Sequence, residues 1–383
     1  MKSDVPATGE GIEAPAVVSA AVSERDRPIK ELDNYRWRPM WISHIGCLKA
    51  AAEYLSVRVS TPWLFGTTGY AFLLNIHKEL CPSGWHVVDM PIQEALRNVG
   101  LNVDHLVEAR HAWDSTGVLQ ERAWEHTRRA IKAGKPCYGY DLEIGDYYAI
   151  HGYDGRGYYY SGPGCDQGKG PRPWKDYGVT NQVGIIHINA VTPCDPAEDT
   201  LVVRNALELA LKQAASVEGA NELYACGLAG YDQWIAALEG GCAEGWGAPY
   251  NAACYAETRH NAVAFLEEAK QRIGNEQLDG LFDEAIGHYE KVAAALKQVA
   301  ATFPTLDEKP SETLDVRVRR GVESLNAARG AEERGLKALE KLAQTVDPMI
   351  AMQSWDKLPW RIPVEWQPVL GTDLARPESA AAG

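Results

Sequence analysis

The stretch Trp41-Ile-Ser-His-Ile-Gly-Cys-Leu-Lys-Ala-Ala-Ala-Glu-Tyr-Leu55 decides the fold of the first half of this chain. Its run of small apolar residues predicts a helix over 46–57, with Cys47 at the beginning. The unpaired N–H groups and positive dipole end of a helix N-terminus favour a thiolate over a thiol. Because the thiolate is the nucleophilic form of cysteine, we expect Cys47 to have a lowered pKa and to react with iodoacetamide below about pH 7.

The patterns that follow indicate a mixed domain over residues 31–195. Aromatic-rich and alternating runs predict strands over 104–111, 136–143, 147–154, 157–161 and 183–190, and helical spacing predicts further helices over 67–79, 91–99 and 120–133. Asp154-Gly155 provides a tight turn between two of the strands. Helices followed by an antiparallel run of strands predict an α+β fold rather than a doubly wound parallel sheet.

The composition changes after Pro193 and Pro196, which mark a linker. Over 200–346 the chain is rich in Ala, Leu and Glu, and its apolar residues recur with helical spacing. This pattern predicts an all-α helical bundle of about four to six antiparallel helices. Residues 1–30 are expected to form a flexible leader, and residues 347–383 a tail that contains Trp and Pro residues.

Charge and composition limit the classes of partner. The net charge of −14 and the pI of about 5.2 argue against nucleic-acid binding, which needs a basic face, and against binding to anionic membranes. No apolar run has the length of a membrane span, and residues 1–27 lack the apolar core of a signal peptide, so we expect a cytoplasmic protein with its eight cysteines as free thiols. The His and Cys spacings are too loose for a typical zinc site, so we expect neither a metal nor another cofactor.

Segments in both halves resemble known proteins. Ser43-His-Ile-Gly-Cys-Leu-Lys-Ala-Ala-Ala-Glu-Tyr-Leu55, and the segment from Ser60 through Phe65-Gly66-Thr-Thr-Gly-Tyr-Ala-Phe72, resemble the N-terminal domain of the butirosin-biosynthesis acyltransferase family, which is related in fold to papain-like cysteine peptidases. Gly134-Lys-Pro, followed by two strands that lead to Gly152-Tyr-Asp154, is similar to the same pattern. In the second half, 224–234 and 250–260 resemble the helical extension of uncharacterised bacterial relatives.

The resemblance, which covers about residues 35–345, implies a papain-like fold and cysteine-dependent acyl chemistry, either amide hydrolysis or acyl transfer, with Cys47 as the nucleophile. The related peptidases place a general-base His at the first residue of the strand that leads to the Gly-Tyr-Asp turn, where this chain has Asp146-Tyr147-Tyr148. They carry a Gln oxyanion donor before the nucleophile, where this chain has Met40-Trp41-Ile42. They use an Asp or Asn on the next strand, where this chain has Tyr160-Ser161-Gly162. The alternative function is therefore a catalytically silent papain-fold protein that binds a small molecule or peptide.

Two histidines are the candidate general bases. His44 precedes Cys47 by three residues, and His151 lies along the strand that opens with Asp146. An odd number of steps separates His151 from Asp146, so His151 faces the other side of the strand, on the order of 16 Å along it. The residues leave the choice between His44 and His151 open.

A cleft between the two domains is the expected substrate site, because ligand sites often form between domains. We expect the bundle to cover the Cys47 side of the first domain and to form one wall of this cleft. The expected lining consists of a glycine and aromatic residues from both halves: Gly66, Tyr70, Trp85, Tyr153, Tyr224, Tyr231 and Tyr250. The expected partner is a small-molecule or peptidic acyl substrate, free or linked to a carrier protein, and the sequence leaves the oligomeric state open.

Overall fold

The computed structural model describes residues 30–81, 92–109, 117–179, 185–215, 222–305 and 310–346. The described chain is a mixture of helices and an antiparallel sheet, in agreement with the α+β prediction at this level. The elements of the first half are β1 (Lys30–Glu31), α1 (Ser43–Tyr54), α2 (Thr61–Thr67), β2 (Asn75–His77), α3 (Ile92–Asn98), β3 (Leu101–Ala109), α4 (Val118–Lys132), β4 (Cys137–Tyr140), β5 (Tyr147–Tyr153), β6 (Gly157–Ser161), β7 (Lys169–Pro173) and β8 (Ile185–Pro193). Those of the second half are α5 (Asp199–Ala215), β9 (Tyr224–Cys226), α6 (Gly227–Glu239), α7 (Gly247–Ile273), α8 (Asp279–Thr302) and α9 (Leu314–Val346).

The main sheet has the strand order β3-β8-β4-β5-β6-β7, and β1 adds to β5 at one end. All of its neighbouring strands are antiparallel. The predicted turn between β5 and β6 is confirmed, because the Asp154 carboxylate accepts hydrogen bonds from the backbone N–H groups of Arg156 and Gly157 at 2.7 and 3.0 Å. An Asp side chain that bonds the backbone two and three residues on is a common way to fix such a turn.

Helices α1 and α4 lie against opposite faces of this sheet. Tyr138 and Tyr147 contact His44 of α1, whereas Tyr158 contacts Trp124 of α4. The pairing register of β4, β5 and β6 puts Tyr138 and Tyr147 on one face and Tyr158 on the other. The face that α1 covers therefore carries the tyrosines that surround the candidate site.

Helix α1 begins one turn earlier than the predicted 46–57, and this corrects the expected position of Cys47. The first residue of α1 is Ser43, and the Gly46 N–H already donates to the Ile42 carbonyl at 3.2 Å. Cys47 thus lies in the second turn, where its own N–H is bonded within the helix. The physical reason lies outside the predicted helix: the carboxylate of Glu257, on α7, accepts hydrogen bonds from the N–H groups of Trp41 and Ile42 at 3.0 and 2.9 Å.

The predicted helix over 67–79 is wrong. The helix there is α2, which Ser60 caps by accepting a hydrogen bond from the Trp63 N–H, and which ends at Thr67. Gly69 then has a φ of +83°, which ends helical geometry. Residues 75–77 form β2 instead, because they pair with β9 from the second half of the chain. Pairing with a strand about 150 residues away leaves no trace in a local pattern of apolar residues.

The two halves share one continuous hydrophobic core. Helix α2 packs directly on α7, and a Cβ at Gly66 would lie 2.2 Å from the Phe265 ring. The expectation that Gly66 lines the substrate site is therefore corrected, since this glycine permits the close approach of two helices. Within the described residues, no helix combines the length and apolar character that crossing a membrane requires.

A buried ion pair fastens the turn before β2 to the bundle. Arg259 on α7 donates to the Glu332 carboxylate on α9 at 2.9 Å and to the carbonyls of Ala71 and Leu73 at 2.9 and 3.0 Å. The two charged side chains are only 1% and 3% exposed, and Tyr231 adds a hydrogen bond to Glu332 at 2.9 Å. Removal of one partner would leave an uncompensated buried charge.

We expect Arg259→Met to lower the free energy of unfolding by about 3–5 kcal/mol, since Glu332 would lose its counter-ion. Urea denaturation followed by circular dichroism measures this loss. The matched control is Arg329→Met, which breaks the half-exposed pair with Asp232 on the bundle surface and should cost less than about 1 kcal/mol. Equal losses in the two variants would contradict a stabilising role for the buried pair.

Candidate functional site

The first residue of α1 and the residue before β5 are joined by a short hydrogen bond. Ser43 Oγ donates to Asp146 Oδ1 at 2.6 Å and accepts a hydrogen bond from the Tyr147 N–H at 3.0 Å. The family resemblance assigns the nucleophile to Cys47 and the general base to the position of Asp146. The structure brings Ser43, which no sequence pattern indicated, rather than Cys47 into hydrogen-bond contact with Asp146.

Burial raises the pKa of the Asp146 carboxyl from its ordinary 3.8 to about 6, and the hydrogen bond from Ser43 opposes this effect. Desolvation disfavours the charged form of a carboxyl group, and the described residues give Asp146 no cationic partner that would restore it. Asp146 still keeps part of its surface in contact with solvent. It is therefore a carboxylate at the edge of the core, accessible from one side.

Cys47 is fully buried in the hydrophobic core, with an exposure of 0%. Burial raises the pKa of its thiol well above the ordinary value, and the nearby negative charge of Asp146 raises it further. The expectation of a lowered pKa is thus corrected: the thiol lies one turn past the free N–H groups and next to a carboxylate rather than an imidazole. Both effects hold Cys47 in the neutral, non-nucleophilic form.

His44 is the second residue of α1 and lies in a cluster of tyrosine rings. Its Nδ1 shares a hydrogen bond of 3.0 Å with the Tyr70 hydroxyl, and its ring stacks on Tyr147 with a centroid distance of 4.2 Å. The structure therefore brings together two of the predicted site residues, His44 and Tyr70, beside Ser43. The described contacts direct the His44 ring toward these tyrosines.

His151 lies in a different environment, and its expected role as the base for Cys47 is corrected. Its Nδ1 is 3.3 Å from the Glu31 carboxylate of β1, and the side chain is 5% exposed. Burial lowers the pKa of His151, while Glu31 opposes that shift. The same contact, ahead of the one with Arg36, lowers the pKa of Glu31 to about 2. His151 thus joins β1 to β5, and no described interaction connects it to Cys47.

Three of the predicted lining tyrosines lie elsewhere. Tyr231 is 0% exposed and bonds Glu332 inside the bundle, so it has no surface to offer a ligand. Tyr224 packs against His77 in the β2–β9 pair, with ring centroids 4.9 Å apart. Tyr153 contacts Trp124, on the side of the sheet that α4 covers. Trp85 lies outside the described residues.

Tyr250 does lie at the candidate site, where it forms an aromatic rim with two exposed tryptophans. The rings of Trp41 and Trp246 each lie 6.2 Å from the Tyr250 ring, and they are 37% and 41% exposed. Burial raises the pKa of the Tyr250 hydroxyl, and the neighbouring Cys254 and Asp146 raise it further. The aromatic rim, which consists of Trp41, Trp246 and Tyr250, therefore lies at the start of α1, where Ser43, two residues after Trp41, bonds Asp146.

The rim joins residues from both halves of the chain, since Trp41 precedes α1 and Tyr250 belongs to α7. Sequence reasoning named Tyr250 from its break in an apolar helix but had no pattern with which to find Trp41 and Trp246. The described residues contain no group of three or more His, Cys, Asp or Glu side chains placed to hold a metal ion.

In the native protein, we expect Cys47 to resist alkylation by iodoacetamide at pH 7, because it is buried and its pKa is raised. The partly exposed Cys165 and Cys242 serve as internal controls and should be labelled first. Peptide mass spectrometry after a time course, with a parallel sample in urea, measures the order. Labelling of Cys47 ahead of these two would restore it as a candidate nucleophile.

We expect Asp146→Asn to raise the free energy of unfolding relative to the wild type, and to do so more at pH 8 than at pH 4. The folded chain holds the Asp146 proton up to about pH 6, whereas the unfolded chain releases it near 3.8, so the wild type loses stability as pH rises through this window. The uncharged amide avoids a loss of up to about 3 kcal/mol and keeps an acceptor for Ser43. The urea midpoints of variant and wild type at the two pH values test this, with Asp232→Asn, at an exposed carboxylate, as the control. If the midpoint of Asp146→Asn differs from that of the wild type by the same amount at pH 4 and pH 8, the prediction is contradicted.

Comparison with protein-family models gives no match for this chain. The curated proteins likewise contain no sequence that matches it. The function is therefore argued from the site itself.

Proposed function

We propose that this protein binds a small molecule or peptide at the aromatic rim beside Asp146, on a papain-like scaffold that does not use Cys47 as a nucleophile. The observation that carries the proposal is the position of Glu257. Its two carboxylate oxygens accept the hydrogen bonds of the Trp41 and Ile42 N–H groups at the start of α1. Acyl chemistry at a helix start uses N–H groups there to stabilise an oxyanion, and here a carboxylate from the same chain already bonds two of them, those of Trp41 and Ile42.

The papain-like scaffold is supported by the relation between α1 and the sheet. The start of α1 faces the opening of β5, and β5 continues through an antiparallel hairpin that turns at Asp154. A peptidase of this architecture would hold a thiol at the first position and an imidazole at the second. Ser43 and Asp146 occupy these positions instead, and they bond each other directly.

Cysteine-dependent acyl chemistry through Cys47 is the less supported function. It requires a thiolate and a general base within hydrogen-bond reach. Cys47 is buried with a raised pKa, His44 bonds Tyr70, and His151 bonds Glu31. A binding role needs none of these groups to react and uses the exposed rim instead.

Serine-dependent acyl transfer is a second candidate, and the 2.6 Å bond from Ser43 to Asp146 is the observation that favours it. In that mechanism, Asp146 accepts the Ser43 proton while the hydroxyl oxygen attacks a carbonyl group. Asp146 then returns this proton to the leaving alcohol, thiol or amine as the bond between it and the carbonyl carbon breaks. The Glu257 carboxylate weighs against this mechanism as well, because a negative charge at the helix start repels a developing oxyanion.

Incubation with p-nitrophenyl acetate and with short acyl thioesters tests these functions. We expect intact-mass spectrometry to show no stable acyl adduct on Ser43 or Cys47, and we expect Cys47→Ala to leave any slow background hydrolysis unchanged. An adduct on Ser43 would establish the serine mechanism, and one on Cys47 the cysteine mechanism; either would contradict the proposal.

A thermal-shift screen of metabolites and short peptides tests the binding function directly. We expect ligands that stabilise the wild type to lose this effect in Trp41→Ala, whose side chain is 37% exposed and therefore replaceable without disruption of the core. Trp174→Ala, which removes a ring on the α4 side, is the matched control. A ligand that raises the melting temperatures of Trp41→Ala and Trp174→Ala equally binds elsewhere and would contradict a site at the rim.

A further inference from the structure

Two residues after Trp41 of the aromatic rim, Ser43 bonds the Asp146 carboxylate, which has no cationic partner among the described residues. Asp146 bonds Ser43 through one oxygen, forms no ion pair with any described residue, and stays partly exposed. A buried or half-buried charge without a partner is unfavourable. A bound cation would supply the missing partner.

Glu257 adds a second negative charge next to Trp41, whose N–H it bonds at 3.0 Å. The thiol of Cys254, one turn before Glu257 on α7, donates a hydrogen bond to the Trp41 carbonyl at 3.9 Å. Burial raises the pKa of this thiol, and both Glu257 and Asp146 raise it further. Among the described residues, no Lys or Arg pairs with either carboxylate.

Exposed aromatic rings provide an independent indication of a ligand. Trp41 and Trp246 are two of the few large apolar side chains that the described surface exposes, and both lie against Tyr250. Tryptophan and tyrosine faces attract cations through their quadrupole, most strongly where water is partly excluded. A contiguous exposed aromatic surface also indicates a binding site in its own right.

The available hydrogen-bond acceptors distinguish between kinds of cation. Both oxygens of Glu257 are bonded to the backbone of Trp41 and Ile42, and one oxygen of Asp146 is bonded to Ser43. A primary ammonium has three N–H donors, each of which needs an acceptor to replace water. A fully methylated, quaternary ammonium has no N–H donors, so it lacks this requirement and needs only negative potential and aromatic faces.

We propose that the aromatic rim and Asp146 form a binding site for a fully methylated, quaternary ammonium group. This proposal rests on the proposed binding function and names the chemical class of its ligand. The rings of Trp41, Trp246 and Tyr250 contact the methyl groups, and the Asp146 carboxylate provides the negative charge. No covalent step is involved.

Isothermal titration with choline and with its uncharged isostere 3,3-dimethylbutan-1-ol tests the proposal, because the two differ in charge and hardly in shape. We expect choline to bind and the isostere to bind at least about 10-fold more weakly. Ethanolamine, which replaces the three methyl groups by N–H donors, should also bind more weakly than choline. Equal affinities for choline and its isostere would overturn the proposal, as would absence of choline binding at about 50 mM, above the millimolar Kd that a few cation–π contacts give.

Two variants locate the site. We expect Asp146→Asn, which keeps the shape and the acceptor for Ser43, to weaken choline binding at least about 10-fold, and Trp41→Ala to weaken it about 5-fold. Asp232→Asn and Trp174→Ala, distant from the rim, should bind choline as the wild type does. Choline affinity that is unchanged in Asp146→Asn would overturn the assignment.

The outcomes separate this proposal from the proposed function. A neutral ligand that binds in a Trp41-dependent way, together with no choline binding, would overturn the ammonium assignment and leave the binding function intact. An acyl adduct on Ser43 or Cys47 would overturn the binding function, whatever the result with choline.

Discussion

The contact on which the rest of this structure depends is the one between Glu257 and the start of α1. A carboxylate at a helix N-terminus bonds otherwise unsatisfied N–H groups and interacts favourably with the helix dipole, an effect of about 0.3–2 kcal/mol. This contact matters more for the positions of α1 and α7 than for the stability of the protein. It sets the first turn of α1 at Ser43, moves Cys47 into the core, and holds α7 against the segment that precedes the helix. The half-buried carboxylate is itself tolerated because the helix start provides its hydrogen bonds.

Much of the secondary structure was predictable from the sequence, because it follows from local patterns. The strands at 147–153 and 157–161 and the turn at Asp154 agree with the prediction, as do the helices at 92–98 and 118–132 within a few residues. The errors arose where a distant partner decides the outcome. Residues 75–77 are a strand because of β9, and α1 starts at Ser43 because of Glu257. Neither partner is visible in a window of neighbouring residues.

The candidate site was predictable in part. The position of the site at the α1–β5 junction followed from the family resemblance, and His44, Tyr70 and Tyr250 were named from the sequence and lie there. Cys47 drew attention because cysteine is the reactive residue type in the resembled family, yet it lies four positions after Ser43, about one helical turn further along α1. Sequence could not decide between these two positions, because the N-terminal cap that distinguishes them is supplied by α7. Tyr231 shows the converse error: a tyrosine on an apolar helix indicates a cleft and a buried charge network equally well.

The hydrogen bonds of Ser43 explain why the junction between α1 and β5 is stable. A thiol–imidazole pair at a helix start is reactive because the thiolate is favoured there, and it leaves the helix N–H groups open to substrate. Here the Ser43 hydroxyl donates to Asp146 and accepts from the Tyr147 N–H, while Glu257 bonds the N–H groups of Trp41 and Ile42, just before α1. The polar groups at this junction are thereby bonded to one another, and one carboxylate remains partly exposed at an aromatic surface. A negative potential at an aromatic surface attracts a positive charge and opposes the negative charge that develops on an acyl oxyanion.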